Sequence, residues 1–490
     1  MPRPDRSRPT VRLRPNLSLE RLEERQLLST VPLATLSALP PMLPDIQPVG
    51  IIPLSSPTSY PSAVYTPSQV RTAYGVNKIP DEGQGMTVAI VDAYSQPYIQ
   101  SDVNTFSSLF GLPQMDGVGG DPTLSIMVPP GQSTPPPANT EPGNWGREIS
   151  LDVEWVHSIA PYANIDLVTC QDSSGDSLYG AEADGLSYAS GVGYAKSLPG
   201  VVVVSNSYGG PEFSGETAYD SQFTTSSNNV AFVFSTGDSG APAEYPAYSP
   251  NVVAVGGTSL YTLSIKGQYG SEIGWSGSGG GVSLYEPTPS YQSSNGVNYG
   301  MRSVPDVSWL ADPNTGVLVI DSLDAPGEIL IAGGTSLAAP MWAGLIALGD
   351  QARGSAGSLS STGVLDSLYG AYNSSNYSAD FHDITVGNNG FAAGPGYDLV
   401  TGIGTPKAQN IVNLLGTVLP PAVSIGSQTV NTGPSAGLST VSYNSGKSVS
   451  VYSKPLPISI NSVSTDVALS DFVTTVDIPK AKKIGSLLFS

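Results

Sequence analysis

The sequence predicts an α/β fold with a central, mostly parallel β-sheet flanked by helices, and a short β-rich C-terminal extension. Two observations lead to this fold class. Helical patterns alternate with short apolar runs, and such alternation favours parallel strands covered by helices on both faces. The apolar runs have the length and composition of strands that are buried on both sides; they lie at residues 86–92, 163–168, 201–205, 230–235 and 252–255.

The ends of these runs are the first places to look for a site. In an open parallel sheet, ligands bind beyond the carboxyl ends of the strands. Asp92, Asn206 and Asp238 each end or follow one of the apolar runs. We therefore expect these polar residues along one edge of the sheet.

Composition shifts divide the 490 residues into four segments. Residues 1–29 are basic, with seven arginines among the first 25, and resemble the export element at the start of many exported bacterial proteins; a disordered basic tail is the alternative. Residues 30–62 are rich in Pro and Ser without a helical or strand period, which is typical of a linker. Residues 63–417 carry the α/β pattern. Residues 418–490 contain short alternating runs that predict a β-rich tail or a small module of unknown role.

The chain is strongly acidic. Its formal net charge is −20 and its sequence pI is about 4.3, which excludes a nucleic-acid partner because phosphate binding needs a basic surface. A carboxylate-rich surface with few lysines loses its self-repulsion as the pH falls, so the protein could stay folded in acid; solubility alone is the other interpretation. No apolar run reaches the length of a membrane span.

The single cysteine, Cys170, makes an intrachain disulfide impossible. A catalytic cysteine needs a histidine partner, and the chain has only His157 and His382. Because Cys170 follows an apolar run, we expect it to be a buried strand residue.

The strongest local motif is Gly-Gly-Thr-Ser-Leu-Ala-Ala-Pro at residues 333–340. Its glycines let a substrate backbone approach, and its serine, Ser336, opens a helix whose N–H groups can face a developing oxyanion. A serine that only caps a buried helix is the structural alternative. A nucleophilic serine needs a base, and neither His157 nor His382 has the flanking residues of a subtilisin histidine.

Two carboxylates offer a different base. Glu148 and Asp152 are four residues apart on a predicted helix, so they share a face, while Ile149, Val153 and Val156 form a buried stripe. Carboxylates at this spacing repel each other unless a proton lies between them, and the pair then has one raised pKa, which suits acid–base work at low pH. Such pairs are usually solvated surface, and only the presence of Ser336 favours a catalytic role.

Asp238 follows a buried strand and precedes a Gly-rich turn. A carboxylic acid that is held neutral there could donate a hydrogen bond to an oxyanion, whereas an ionised one would oppose it. An ordinary turn aspartate is the alternative.

Taken together, these separated motifs resemble the sedolisin (serine-carboxyl peptidase) family over residues 63–417. The resemblance implies a subtilisin-like fold, Ser336 as the nucleophile, Glu148 as the base with Asp152 as its partner, and Asp238 in the oxyanion hole. Residues 205–210 would be the edge strand that pairs with substrate.

The sequence departs from the family pattern at several points. Gly333 stands where a serine is frequent, and Asp92 stands where some relatives have a glutamate behind the triad. Asp92 is therefore assigned either a supporting role or a purely structural one. Only about 62 residues precede the similar region, where many members have a long prodomain, so we expect either that activation is controlled differently or that the chain needs no intramolecular chaperone.

The resemblance also implies one structural Ca²⁺ ion near the end of the similar region. Asp383 and Asp398 would give side-chain oxygens, and Ile384, Gly394 and Gly396 would give backbone carbonyls. Oxygen-only ligands of this kind suit a hard cation such as Ca²⁺.

The functional prediction is a secreted, monomeric serine-type endopeptidase that hydrolyses protein or peptide substrates in acid through a Ser-Glu-Asp triad. A catalytically inactive surface-binding or adhesion protein on the same fold is the main alternative. A subtilisin that uses His157 is a third possibility, which the flanking sequence disfavours.

Overall fold

The computed structural model describes residues 39, 41–44, 46–54, 63–132, 136–138, 145–180, 189–226, 229–417, 438–442 and 448–452. The predicted export segment, residues 1–29, lies outside the described residues. The chain forms two compact units, residues 1–417 and residues 418–490. What is described of the second unit is one antiparallel hairpin, and the division of the chain into the four predicted segments stays a prediction.

The described strands are numbered in chain order. They are β1 Leu43–Pro44, β2 Gln47–Pro53, β3 Thr87–Ala93, β4 Leu124–Met127, β5 Asn164–Cys170, β6 Val201–Asn206, β7 Tyr208–Gly209, β8 Ala231–Ser235, β9 Val253–Thr262, β10 Tyr269–Gly274, β11 Gly281–Pro287, β12 Met301–Val304, β13 Val307–Leu310, β14 Val317–Val319, β15 Glu328–Gly333, β16 Phe381–His382, β17 Thr405–Pro406, β18 Leu438–Ser442 and β19 Ser448–Tyr452.

The described α-helices are numbered in the same way. They are α1 Pro67–Tyr74, α2 Ile99–Phe110, α3 Trp145–Ile159, α4 Gly175–Leu178, α5 Gly191–Ala195, α6 Ser290–Ser293, α7 Thr335–Arg353, α8 Ser361–Tyr372, α9 Tyr377–Asp380 and α10 Ala408–Gly416. None of the helices in the described ranges is both long and apolar enough to cross a membrane.

The central sheet has eight strands in the order β10-β9-β8-β6-β3-β5-β4, with β13 also paired to β9. Every pair in it is parallel except β10 with β9. The five apolar runs that predicted a parallel sheet are its five contiguous strands from β9 to β5, which confirms the fold class. Burial on both faces explains their unbroken apolar composition, and Cys170, at the end of β5, is buried and unpaired with another cysteine.

Two buried helices pack against each other beside this sheet. Every residue of α3 except Arg147 is buried, so the single apolar stripe predicted for it underestimates its burial. At Gly344 of α7, a Cβ atom would lie 3.0 Å from the Cβ atom of Ile159 on α3. This glycine lets the two helix backbones approach closely, which brings the carboxylates of α3 toward the N-terminus of α7.

Two strands lie within the segment that the sequence predicts as a linker. β1 pairs antiparallel with β7, and β2 pairs antiparallel with β15. The side chains of β2 alternate only weakly between exposed and half-buried, because this strand lies at the edge of a three-stranded sheet. Its hydrophobic period was therefore too weak to predict a strand, and its prolines are compatible with an edge position.

Candidate active site

Ser336 is the second residue of α7, and its side chain is fully buried. The turn before the helix requires glycine at two positions. Gly334 has a φ of 121°, which side-chain-bearing residues rarely adopt, and a Cβ atom at Gly333 would lie 2.3 Å from the backbone oxygen of Ala311. The two glycines thus hold the serine at the positive end of a 19-residue helix.

Ser207 connects this serine to the carboxylates of α3. The Ser207 hydroxyl donates to Asp152 Oδ1 over 2.8 Å and lies 3.4 Å from the backbone oxygen of Ser336. In return, Ser336 Oγ lies 3.5 Å from the backbone oxygen of Ser207. The sequence analysis gave Ser207 no role of its own, although its position directly after β6 was a usable signal.

Three carboxylates are buried near this contact, namely Glu148, Asp152 and Asp92, and each has no exposed surface. Burial raises the pKa of Asp92 to about 8. Burial, and next the nearby Asp92 carboxylate, raise the pKa of Asp152 well above its ordinary value. Neither oxygen of Asp92 has a hydrogen-bond partner among the described residues. Asp92 therefore acts on the predicted Glu148–Asp152 pair through its charge, since its nearby carboxylate disfavours ionisation of Asp152.

Asp238 lies at the N-terminus of α7, next to Ser336. Its Oδ1 atom accepts hydrogen bonds from the backbone N–H of Thr335 over 2.7 Å and from the Thr335 hydroxyl over 3.0 Å. The same hydroxyl accepts from the backbone N–H of Gly237 over 3.1 Å. These bonds fix a carboxyl group beside the helix N-terminus, which is where an oxyanion formed by attack of Ser336 would be stabilised.

The two histidines occupy other environments. The ring of His157 lies 3.0 Å from the Ser107 hydroxyl and 3.0 Å from the backbone oxygen of Pro113, and the ring of His382 stacks on Tyr269 with 3.8 Å between centroids. Burial lowers the pKa of both histidines to about 4. A histidine with so low a pKa stays neutral in mild acid, and neither ring contacts Ser336 in the described structure.

We expect Asp92→Asn to flatten the dependence of stability on pH. The folded state keeps the Asp92 proton up to about pH 8, whereas the unfolded chain loses it near its ordinary pKa. The free energy of unfolding therefore falls as the pH rises through this window, by about 1.4 kcal/mol per pH unit for one such group. Urea unfolding at pH 4.5 and pH 7 measures the slope, and an unchanged slope in the variant would contradict this assignment.

The predicted calcium ligands lie in two segments, residues 383–384 and residues 394–398, which a contact between Asp383 and Gly396 joins. Asp383 accepts hydrogen bonds from the backbone N–H of Gly396 over 3.0 Å and 3.1 Å, and Asp398 Oδ2 accepts from the N–H of Gly394 over 2.9 Å. Ile384 is buried. Carboxylates and backbone carbonyls are the kind of oxygen ligand that suits Ca²⁺, and the two aspartates here accept hydrogen bonds from backbone N–H groups of residues 394–401. Among the described residues, no group of three or more His, Cys, Asp or Glu side chains is placed to hold a metal ion.

Comparisons with known proteins show which peptidases this chain resembles. The model of the subtilase family matches residues 138–364. Kumamolisin of Bacillus sp. (strain MN-32) is 31% identical over 407 residues, which cover 75% of this chain and 66% of kumamolisin. Human tripeptidyl-peptidase 1 is 29% identical over 401 residues, which cover 73% of this chain and 64% of that protein. The chain thus spans just under two thirds of the length of these relatives.

A solved structure extends the similarity to the fold. Pseudomonas sedolisin, a serine-carboxyl proteinase solved in complex with two molecules of pseudo-iodotyrostatin, superposes with a TM-score of 0.60 at 27% identity, covering 72% of this chain and 98% of that one. The parallel sheet with a serine at the start of a buried helix is therefore a subtilisin-like fold. Within that class, the chain belongs to the sedolisin family.

Proposed function

We propose that this chain is a serine-type endopeptidase that hydrolyses protein or peptide substrates in acid. The observation that carries the proposal is the buried contact of Ser207 with both Ser336 and Asp152. It links a serine at a helix N-terminus to the carboxylate of Asp152 and not to a histidine. Membership of the sedolisin family supports the same reaction class.

In the proposed mechanism, Glu148 takes the proton of Ser336 as the serine oxygen attacks the peptide carbonyl. Asp152 shares a proton with Glu148 and is held in place by the Ser207 hydroxyl. Asp238, in its neutral form, and the backbone N–H of Ser336 stabilise the tetrahedral oxyanion. Glu148 then donates its proton to the leaving amine, and water hydrolyses the acyl-enzyme.

The activity is expected at low pH because catalysis requires certain carboxyl groups of the site to stay protonated. At low pH the carboxylate cluster retains a shared proton, and a neutral Asp238 can donate a hydrogen bond. As the pH rises, Asp238 ionises, so the donor is lost and the negative charge of its carboxylate opposes the oxyanion. Burial of Asp92 and Asp152 raises the pKa of each, so the cluster keeps its proton well above the usual carboxylate range.

The experiment that tests the function compares two peptides of identical sequence at acidic pH, one with a free and one with an acetylated N-terminus. An endopeptidase is expected to cleave both, and to cut an unfolded protein into fragments of mixed length. Cleavage of the free peptide alone, with release of short N-terminal pieces, would replace endopeptidase with exopeptidase action. A folded chain that cleaves neither peptide at any pH would favour a binding protein on this fold.

The proposal includes one structural Ca²⁺ ion held by Asp383 and Asp398 with the backbone carbonyls of Ile384, Gly394 and Gly396. The ion would tie the loop at residues 394–398 to the end of the β16 strand. It would stabilise the folded chain, because a ligand that binds only the folded state shifts the unfolding equilibrium.

Chelation of this ion is expected to lower the melting temperature by about 5 °C or more. The measurement is a thermal melt with EDTA, followed by addition of excess Ca²⁺ or Mg²⁺; Ca²⁺ is expected to restore stability and Mg²⁺ is not. Asp398→Asn should abolish the response to EDTA. If wild type and variant melt alike with and without chelator, the calcium assignment is wrong.

We also propose that the protein acts outside the cell. The acidic composition, with a net charge of −20, and the export-like residues 1–29 support this location.

A further inference from the structure

We infer that Thr335 is a positioning residue, which selects the oxygen of Asp238 that carries the proton and so orients the donor that meets the oxyanion. The inference rests on the function proposed above and gives a role to a residue that the proposed mechanism does not use. Three features support it: the hydrogen bonds at the start of α7, the burial of Thr335, and the contacts of the loop that carries Asp238.

The Oδ1 atom of Asp238 receives two hydrogens from Thr335. The backbone nitrogen of Thr335 lies 2.7 Å from Oδ1 and can only donate, and the Thr335 hydroxyl donates to the same oxygen over 3.0 Å. In a protonated carboxyl group, one oxygen carries the hydrogen and the other keeps its acceptor capacity. Oδ1 is therefore the accepting oxygen, and the proton is placed on Oδ2.

The direction of the Thr335 hydroxyl is fixed by a third bond. A hydroxyl has one hydrogen to donate and two lone pairs that accept. The backbone N–H of Gly237 donates to the Thr335 oxygen over 3.1 Å, so the hydroxyl hydrogen is turned away from Gly237 and is available to Asp238 Oδ1. A valine at this position would have neither the hydrogen for Asp238 nor the lone pair for Gly237.

Thr335 is fully buried, so water does not replace these bonds when the hydroxyl is lost. Its methyl group faces a different neighbour. A Cβ atom at Gly257 of β9 would lie 3.6 Å from Thr335 Cγ2, which is an ordinary packing distance. The hydroxyl thus contacts the loop of Asp238 and the methyl group packs on β9, so substitutions can remove one without the other.

The loop that carries Asp238 is also held from another side. The Gly279 backbone N–H donates to the backbone oxygen of Gly237 over 2.8 Å, and a Cβ atom at Gly279 would lie 1.9 Å from the backbone oxygen of Thr236. This close approach leaves the loop little room to move. Thr335 then joins the fixed loop to α7 at the residue directly before the nucleophile.

The arrangement acts in the step that forms the oxyanion. When Ser336 Oγ bonds the peptide carbon, its proton passes to Glu148 and the carbonyl oxygen gains negative charge, to which Asp238 Oδ2 donates. The donor meets this charge only after the attack, so its orientation changes the energy of the transition state more than that of the bound substrate. Loss of the Thr335 hydroxyl should therefore lower kcat and leave KM nearly unchanged.

The test measures kcat and KM at acidic pH in full-length chains, with whichever of the two test peptides wild type hydrolyses faster. Thr335→Val keeps the methyl group and loses the hydroxyl, whereas Thr335→Ser keeps the hydroxyl and loses the methyl group. We expect kcat to fall about 10- to 100-fold in Thr335→Val with KM changed less than about twofold, because an oxyanion donor is turned and not removed. Thr335→Ser should stay within about threefold of wild type.

Thr405→Val is the matched control. Thr405 is as buried as Thr335, and its hydroxyl also donates to a carboxyl group, that of Glu272. We expect its kcat and KM to equal those of wild type. Thermal melts check that each variant is folded; if Thr335→Val unfolds at the assay temperature, Thr335→Ala against Thr335→Ser makes the same comparison with the same expected loss.

The outcomes separate this inference from the proposed function. Equal kcat in wild type, Thr335→Val and Thr335→Ser would overturn the inference while the peptidase assignment stands. Equal losses in Thr335→Val and Thr335→Ser would also overturn it, because packing and not the hydroxyl would then matter. A folded wild-type chain that hydrolyses neither peptide at any pH would overturn the proposed function, and the role of Thr335 with it.

Discussion

Ser336→Ala is expected to lower the rate of peptide hydrolysis by about 10⁴- to 10⁶-fold while the protein stays folded. The nucleophilic oxygen is lost, but the helix N-terminus, Asp238 and the buried carboxylates remain. The Ser336 side chain is small and its hydroxyl makes only one long contact, 3.5 Å to the backbone oxygen of Ser207, so its removal leaves little unsatisfied.

Ser101→Ala is the matched control for this measurement. Ser101 lies exposed in the first turn of α2, and its hydroxyl donates to the backbone oxygen of Tyr98, the residue before the helix, over 2.8 Å. We expect full activity in this variant. Residual activity within about tenfold of wild type in Ser336→Ala would show that another group attacks the peptide bond and would remove Ser336 from the mechanism.

The second large effect is expected on α3. Asp152→Asn keeps an oxygen that can accept from the Ser207 hydroxyl but cannot share a proton with Glu148, so we expect activity to fall by about 10³- to 10⁴-fold. Glu148→Gln removes the base itself and is expected to cost at least as much. Rates are compared at the pH optimum of each variant, because removing one carboxyl group also changes the pKa of its neighbours.

Glu154→Gln is the control on the same helix. Glu154 is as buried as Asp152, but its carboxylate accepts from the backbone N–H of Ile320 over 3.0 Å and 3.3 Å, a bond that a glutamine oxygen can also accept. Activity should therefore survive in Glu154→Gln. A comparable loss in all three variants would mean that the carboxylates of α3 support the fold and not the chemistry.

The sequence was most informative where a local pattern fixed the structure. The apolar runs that became β3, β5, β6, β8 and β9 could be recognised because strands buried on both faces leave almost no choice of side chain. The Gly-Gly-Thr-Ser motif could be recognised for a similar reason, since the φ of Gly334 and the close approach at Gly333 leave only glycine at those positions.

The sequence was least informative where the structure depends on residues far apart in the chain. Asp92 and Asp152 are buried together although 59 residues lie between them in the chain; the family resemblance offered a role for Asp92 behind the triad, but the residues around Asp92 do not distinguish that role from a structural one. Ser207 is one of many serines, and only its contact with Asp152 distinguishes it. The pairing of β1 with β7 spans most of the first half of the chain, and two residues are too few to carry a hydrophobic period.

The most direct test of the carboxylate mechanism is the rate of peptide hydrolysis between about pH 2.5 and pH 8, measured for the wild-type chain and for Ser336→Ala. We predict activity on the acid side of this range, a decline toward neutrality as Asp238 ionises and can no longer donate to the oxyanion, and no measurable activity when Ser336 is replaced. Activity centred near neutrality that disappears below about pH 6 would indicate a histidine base and contradict the assignment of Glu148 and Asp152.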